Sequence, residues 1–391
     1  MTTPPGTPEF APDWSLHPGA ILQAILDERG IKQADLADRT GLTPKHINQI
    51  VKESIGISGE VAQVLERALG LDALFWLRAD ADYQAHVSRQ KAVSQLLDYA
   101  EWFKGFDRPT LLRHGIIAPK EAKESAAEKV LKFFGVANPA AFEQTWQRPR
   151  VSFRRSQAFD VVEQNTALWL RLLDLAGHAQ EAAPFKIGAL RALTKQLPAM
   201  TNLSIVDGFT VARNALAEAG VRLVFVRQVD GSRLSAATWW LTAGQPLIGV
   251  TERHHKPDVF WFSLIHEIGH ILLHPKRTTL LDLEGERSEK DPAEQEADSF
   301  AEGVLYPADA SASIARATTR EQLLMLSTRL GIGPAIVAGR HGWLTNRWHV
   351  GSSLRGKITE SDVEAMEDIS GTRRIADLVP GTENPAGSLA P

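Results

Sequence analysis

The chain has 391 residues, 43% of them hydrophobic and 23% charged, with a net charge of −4 and no cysteine. That is long enough for two or three domains with real cores, in the composition range of soluble globular proteins. It excludes disulfides and thiolate metal sites. No run approaches the ~18 apolar residues of a membrane span, and the acidic balance leaves DNA binding only to a local face.

The opening "MTTPPGTPEFAPDW" has neither the basic start nor the apolar stretch of a signal peptide. With the absence of cysteine, this leads us to expect a cytoplasmic protein. Residues 1–15 are proline-rich and expected to be disordered, and a C-terminal extension over residues 351–391 is expected to be partly so, in its tail "LVPGTENPAGSLAP".

Residues 16–90 read as a bundle of short helices. "PGAILQAILDERG" begins at Pro18 and ends at Gly30, the punctuation of a helix. "QADLADRTG" and "LTPKHINQIVK" then give helix, a short turn containing Gly41, and a second helix capped by Thr43 with Pro44 in its first position. That is helix-turn-helix spacing, with Leu36, Ala37, Ile47 and Ile50 as the shared core and the second helix placed for the major groove. Residues 29–52 carry Arg29, Lys32, Arg39, Lys45 and Lys52 against Asp35 and Asp38, a basic face on an acidic protein. Thr43, Lys45, His46, Asn48 and Gln49 are candidates for base edges, and Lys32, Gln33 and Lys52 for phosphates. A homodimer on a palindromic operator in double-stranded DNA is the expected partner arrangement. The competing reading is a small helical bundle used for dimerisation alone.

Residues 91–200 read as amphipathic helices interrupted by Pro109, Pro119, Pro139, Pro149 and Pro184, a helical linker region rather than one rod. Over residues 201–350 the pattern changes. "VRLVFVRQV", "SAATWWLT" and "QPLIGVTE" read as three strands. The long apolar helix "DVFWFSLIHEIGHILLH" follows, then an acidic loop and the helix "DPAEQEADSFAEGVL". The expected fold class is mainly α with a small sheet (α+β).

The H-E-x-x-H of that apolar helix sets His266 and His270 four apart, on one face, with ~5–6 Å between Cβ atoms. This suits two imidazoles converging on one ion, with Glu267 directed at water rather than metal. A third ligand is available at Glu294, 24 residues beyond His270, leading an E-x-x-A-D pattern. Asp298, one turn further on, is placed to orient a ligand imidazole. Glu296 points elsewhere on its helix, and His274 drifts too far to share the ion. Two imidazoles and a carboxylate buried without a counter-ion would be costly. The expectation is therefore one Zn2+ per chain, with a satisfied core helix as the bland alternative. Tyr306, Arg340 and His341 are candidate oxyanion donors, and Arg253–His255 could line the cleft or form a solvated loop.

Two resemblances attach to these motifs. Residues 17–85, ending in "FWLRADADY", resemble the Xre/Cro helix-turn-helix of HigA-type antitoxins. Residues of about 205–345 resemble the ImmA/IrrE family through "FWFSLIHEIGHILLH", "EQEADSFAEGVLYP" and "LGIGPAIVAGRHGWL", with "LYP" where that family more often has "LMP". "VLKFFGV" and "SFRRSQAF" suit the helical middle of such fusions. The resemblance implies a gluzincin-like zinc protease acting on a repressor, or on itself, in stress response, phage induction or element transfer. In it, His266, His270 and Glu294 would ligate zinc and Glu267 would be the general base. A non-enzymatic antitoxin-like regulator with a sensing metal domain is the other reading.

Overall fold

The computed structural model describes residues 15–147, 163–232, 234–274, 279–283, 292–307 and 309–378. The chain divides into two compact units, Met1–Asp98 and Tyr99–Pro391. The expected disorder of residues 1–15 and of the extreme tail, the acidic loop at 284–291 and "SFRRSQAF" fall almost wholly outside the described residues.

The first unit holds helices α1 (Pro18–Arg29), α2 (Gln33–Thr40), α3 (Pro44–Val51), α4 (Gly59–Leu69) and α5 (Ala73–Asp98). His17 caps α1, its Nδ1 accepting from the Gly19 amide at 2.9 Å. Leu22, Leu26, Leu36, Ile47, Ile50, Leu65 and Trp76 form the core, each at most 1% exposed. Gly19 sets the α1–α3 distance, because a Cβ there would lie 1.8 Å from the Ile50 carbonyl oxygen.

In the second unit we number the longer helices α6 (Lys123–Phe134), α7 (Glu163–Ala179), α8 (Ile205–Glu218), α9 (Pro257–Leu273), α10 (Pro292–Leu305), α11 (Arg320–Leu330), α12 (Pro334–Thr345) and α13 (Glu360–Ser370). The strands are β1 (Arg222–Phe225), β2 (Leu234–Trp240), β3 (Pro246–Val250) and β4 (Thr279–Leu283), in the order β1-β3-β2-β4. β1 runs parallel to β3, and β2 is antiparallel to both its neighbours. The three expected strands are present, and β4 adds a fourth at the beginning of the stretch read as an acidic loop.

Side chains of β1 to β3 are buried on both faces, which requires helices above and below the sheet. Leu223, Phe225, Ile248 and Val250 face a core shared with α8, α9, α10 and α13. Val224, Val226, Ala237, Trp239 and Leu247 face α6 and α7. The segment expected as a linker therefore supplies the second helical layer. α7 is buried around nearly its whole circumference, and it lies so close to β3 that a Cβ on Gly249 would meet Leu173 Cδ1 at 2.3 Å.

The described part of the expected C-terminal extension is also structural. Ile358, Val363 and Met366 enter one core and Ile375 the other. The Phe225 amide of edge strand β1 donates to Ser370 Oγ at 2.9 Å, so that α13 covers an edge that would otherwise be open.

Candidate metal centre and DNA-reading helix

Helix α9 starts with Pro257 in its first turn and runs beneath β2 and β3, its apolar positions Leu264, Ile265, Ile268 and Ile271 packed into the core. The same burial takes His266, Glu267 and His270 out of water, at 4%, 0% and 2% exposure. Helix α10 approaches closely because residue 269 is glycine. A Cβ there would lie 2.9 Å from Phe300 Cδ1 and 3.4 Å from Ala297 Cα. This contact carries Glu294 and Asp298 up to the two histidines.

His266 Nε2 and His270 Nε2 are 2.9 Å apart. Glu294 Oε2 lies 3.2 Å from the first and Oε1 3.4 Å from the second. Behind the pair, Asp298 Oδ1 is 3.0 Å from His266 Nδ1. A carboxylate accepts only, so His266 carries its proton on Nδ1 when neutral and turns the Nε2 lone pair inward. Two facing ring nitrogens can share at most one proton, and a carboxylate closes the triangle. That donor set fits a divalent cation: His266, His270 and Glu294 can hold a metal ion, their ligand atoms lying within 4.8 Å of one another. Burial pushes the Glu294 carboxyl up, but the hydrogen bonds and charge of His266 and His270 outweigh it and hold the group well below the usual carboxylate range.

The neighbouring candidates lie apart from this group. His274 Nε2 sits 3.3 Å from the Ala293 carbonyl and 3.5 Å from the exposed Glu296 carboxylate. The three proposed oxyanion donors are engaged elsewhere. Arg340 forms a bidentate pair with Glu302 at 2.6 and 2.9 Å and lies over the Tyr306 and Trp343 rings. The Tyr306 hydroxyl donates to the Ile336 carbonyl at 3.4 Å, and His341 Nε2 is 3.0 Å from the Ala317 carbonyl. In the segment Arg253–His255, His254 and His255 are exposed and both take left-handed backbone, with φ of 67° and 50°.

Sequence reasoning missed Asp258. It sits in the first turn of α9, where a negative charge suits the helix dipole, and accepts from Arg355 at 2.7 and 3.0 Å. Burial raises its carboxyl above the usual value, with Arg355 opposing. A partner 97 residues away leaves no signal in the sequence.

In the N-terminal unit, α2 ends at Gly41 with φ 72°, and Thr43 Oγ accepts from the His46 amide at 3.2 Å to start α3. Leu36, Ala37, Ile47 and Ile50 are buried. Lys32, Thr43, Lys45 and Lys52 are exposed, and Gln33, His46, Asn48 and Gln49 half-buried. Asn48 Nδ2 donates to Gln33 Oε1 at 3.3 Å, and Gln33 Nε2 donates to Gln23 Oε1 at 3.1 Å. This amide chain ties α3 to α2 and α1 and fixes the angle at which α3 is presented.

Residues 22–76 match the helix-turn-helix family, and residues 217–340 match the IrrE N-terminal-like domain, a metallopeptidase family. The chain is an Xre-type helix-turn-helix protein fused to an ImmA/IrrE-family domain. Virulence-associated protein I of Dichelobacter nodosus is 34% identical to this fusion over 91 residues, 23% of this chain and 82% of that protein. The IrrE-like match contains all of α9 and α10 and hence the whole candidate metal centre. The far helical layer of α6 and α7 lies outside both matches, although it buries one face of the fusion's sheet. No described helix is long and apolar enough to cross a membrane.

Proposed function

We propose that the fusion is a DNA-binding transcriptional regulator whose C-terminal domain is a zinc-dependent endopeptidase. Its target would be a repressor, or the chain itself, in a stress, phage or mobile-element response. One arrangement carries this reading: two imidazole nitrogens and a carboxylate oxygen converge within 4.8 Å on neighbouring helices. Two histidines and one carboxylate form the ligand set of catalytic rather than closed structural zinc sites. A bound ion supplies Lewis acidity for the peptide carbonyl and lowers the pKa of water toward ~7.

The chain's own residues do the remaining work. Asp298 keeps the His266 proton on Nδ1, so that Nε2 faces inward. Glu267, adjacent to His266 and fully buried, is the general base: it accepts a proton from the attacking water and returns it to the leaving amine. In the other unit, the exposed Lys45 and Lys52 hold phosphates or base edges, and the Gln23–Gln33–Asn48 chain sets the docking angle of α3.

Incubating the zinc-supplied protein with a proteome-derived peptide library, followed by mass spectrometry, tests the peptidase reading. Fragments from the wild type, and none from a Glu267→Gln variant that still holds zinc, would support it. Equal cleavage by both would overturn it.

A second reading is favoured by one observation: Tyr306, Arg340 and His341 all have other hydrogen-bond partners. Without an oxyanion donor, the domain would act as an ion or ligand sensor in a non-enzymatic, HigA-like regulator. DNA affinity that responds to a chelator, with no fragments formed, would distinguish this case.

A further inference from the structure

The segment from Gly303 to Lys357 carries seven lysines and arginines against only Asp309 and Glu321, in a chain of net charge −4. Contacts gather much of this charge around one short helix, Ala310–Arg316. Arg316 ends that helix and donates to the Ala312 carbonyl at 3.1 Å. Arg347 donates to the Ala315 and Ala317 carbonyls at 3.0 and 3.3 Å. Arg340 reaches Ser311 Oγ at 3.3 Å from two of its nitrogens. Two indoles lie among these cations, Trp343 at 59% and Trp348 at 40% exposure. The Arg340 guanidinium stands 4.9 Å from the Trp343 ring centre and that of Arg355 4.7 Å from Trp348. Trp348 is seated against Gly342, where a Cβ would lie 2.2 Å from its Cε3, so the two aromatic residues belong to one surface.

We infer that this surface of the second unit binds single-stranded nucleic acid, at a site separate from both α3 and the metal centre. Glu302 and Asp258 answer Arg340 and Arg355, so those two arginines serve mainly to hold the indoles in place. The guanidiniums of Arg316 and Arg347 have only backbone carbonyls as partners among the described residues. Arg320, one turn beyond Arg316, is exposed, donates to Ser353 Oγ at 3.2 Å and has Glu321 only at 3.8 Å. Three cations are thus left for an outside anion. A local basic patch on an acidic protein selects a polyanion, and the indoles decide which one. A duplex keeps its bases stacked on one another and offers Trp343 nothing. Carboxylates alone would also leave that ring unused. Phosphates joined to unpaired bases satisfy both halves: Arg316, Arg320 and Arg347 hold the backbone, and a base stacks on Trp343.

Anisotropy of a labelled oligothymidine of about 20 nucleotides, longer than a single stacking site needs, tests this with the full chain. The wild type should bind at low salt, with a log–log salt slope of about −2 for three phosphate contacts. Trp343→Ala should weaken binding about tenfold, and Trp343→Phe, which keeps a ring, should regain most of it. Arg316→Glu combined with Arg320→Glu, both at exposed positions, should weaken it tenfold or more and flatten the salt slope. Lys45→Ala and Lys52→Ala, on α3, should leave oligothymidine binding unchanged whatever they do to duplex binding. A wild type that ignores the oligonucleotide, or patch variants that bind as the wild type does, would overturn the inference. So would poly-glutamate displacing the label as well as unlabelled oligothymidine does, since charge alone would then account for the binding.

Discussion

Asp298 Oδ1 accepts a hydrogen bond from His266 Nδ1 at 3.0 Å across the α9–α10 contact. The residue that orients the imidazole thus rides on the same helix as the third ligand, so helix packing and ligand geometry are one variable. Asp298→Ala should lower metal affinity about 10–100-fold without unfolding the domain. Competition titration with a chromophoric chelator measures this, and unchanged affinity would show that the tautomer is fixed by something else.

Gly269 makes that packing possible. A valine there must displace Phe300 and push against the Ala297 backbone, which are 2.9 and 3.4 Å from the position of a Cβ. Gly269→Val should destabilise the second unit by about 1–3 kcal/mol and weaken metal binding with it. Denaturant melts read the first effect and metal titration the second. Full retention of both would mean that α10 does not need its close approach.

His114 gives the second unit a pH dependence. Burial pushes its imidazole from an ordinary 6.5 down to about 4, Arg113 and Arg227 add to this, and the hydrogen bond to the Thr372 carbonyl only partly opposes it. A folded pKa below the unfolded one means that the stability is present above pH 6.5 and is lost as pH falls towards 4. The size is on the order of 3 kcal/mol. Urea melts between these limits should show the loss, and His114→Asn, which keeps a donor for Thr372, should flatten the profile. An identical slope in that variant would assign the pH dependence to other groups.

On the DNA side, Lys45 and Lys52 are exposed at opposite ends of α3. Each of Lys45→Ala and Lys52→Ala should weaken duplex binding. A phosphate contact should also reduce the log–log salt slope by about one. A salt slope unchanged in both variants would place the phosphate contacts elsewhere.

The parts of the fold legible in the sequence were those set by local periodicity. His266 and His270 lie on one helix face whatever surrounds them, and the Glu294–Asp298 spacing repeats the same geometry one helix later. Gly41, Thr43 and Pro44 likewise punctuate α2 and α3 through their own backbone preferences. What could not be read there depends on distant partners. α7 looks like any amphipathic helix until β3 buries its other side, which is why residues 91–200 read as a linker. β4 is defined by its antiparallel pairing with the distant β2, a partner that leaves no local mark beside an acidic segment. The Asp258–Arg355 pair and the narrow α9–α10 approach at Gly269 exist only once the chain has folded, and so do the partners that turn Tyr306, Arg340 and His341 elsewhere.

Metal content of the purified full-length protein after zinc reconstitution and desalting tests the central claim most directly. With His266, His270 and Glu294 as ligands, the wild type and Glu267→Gln should each retain about one zinc per chain, and Glu294→Ala and His270→Ala almost none. A wild type that emerges without zinc, or a Glu294→Ala variant that retains as much as the wild type, would contradict the account.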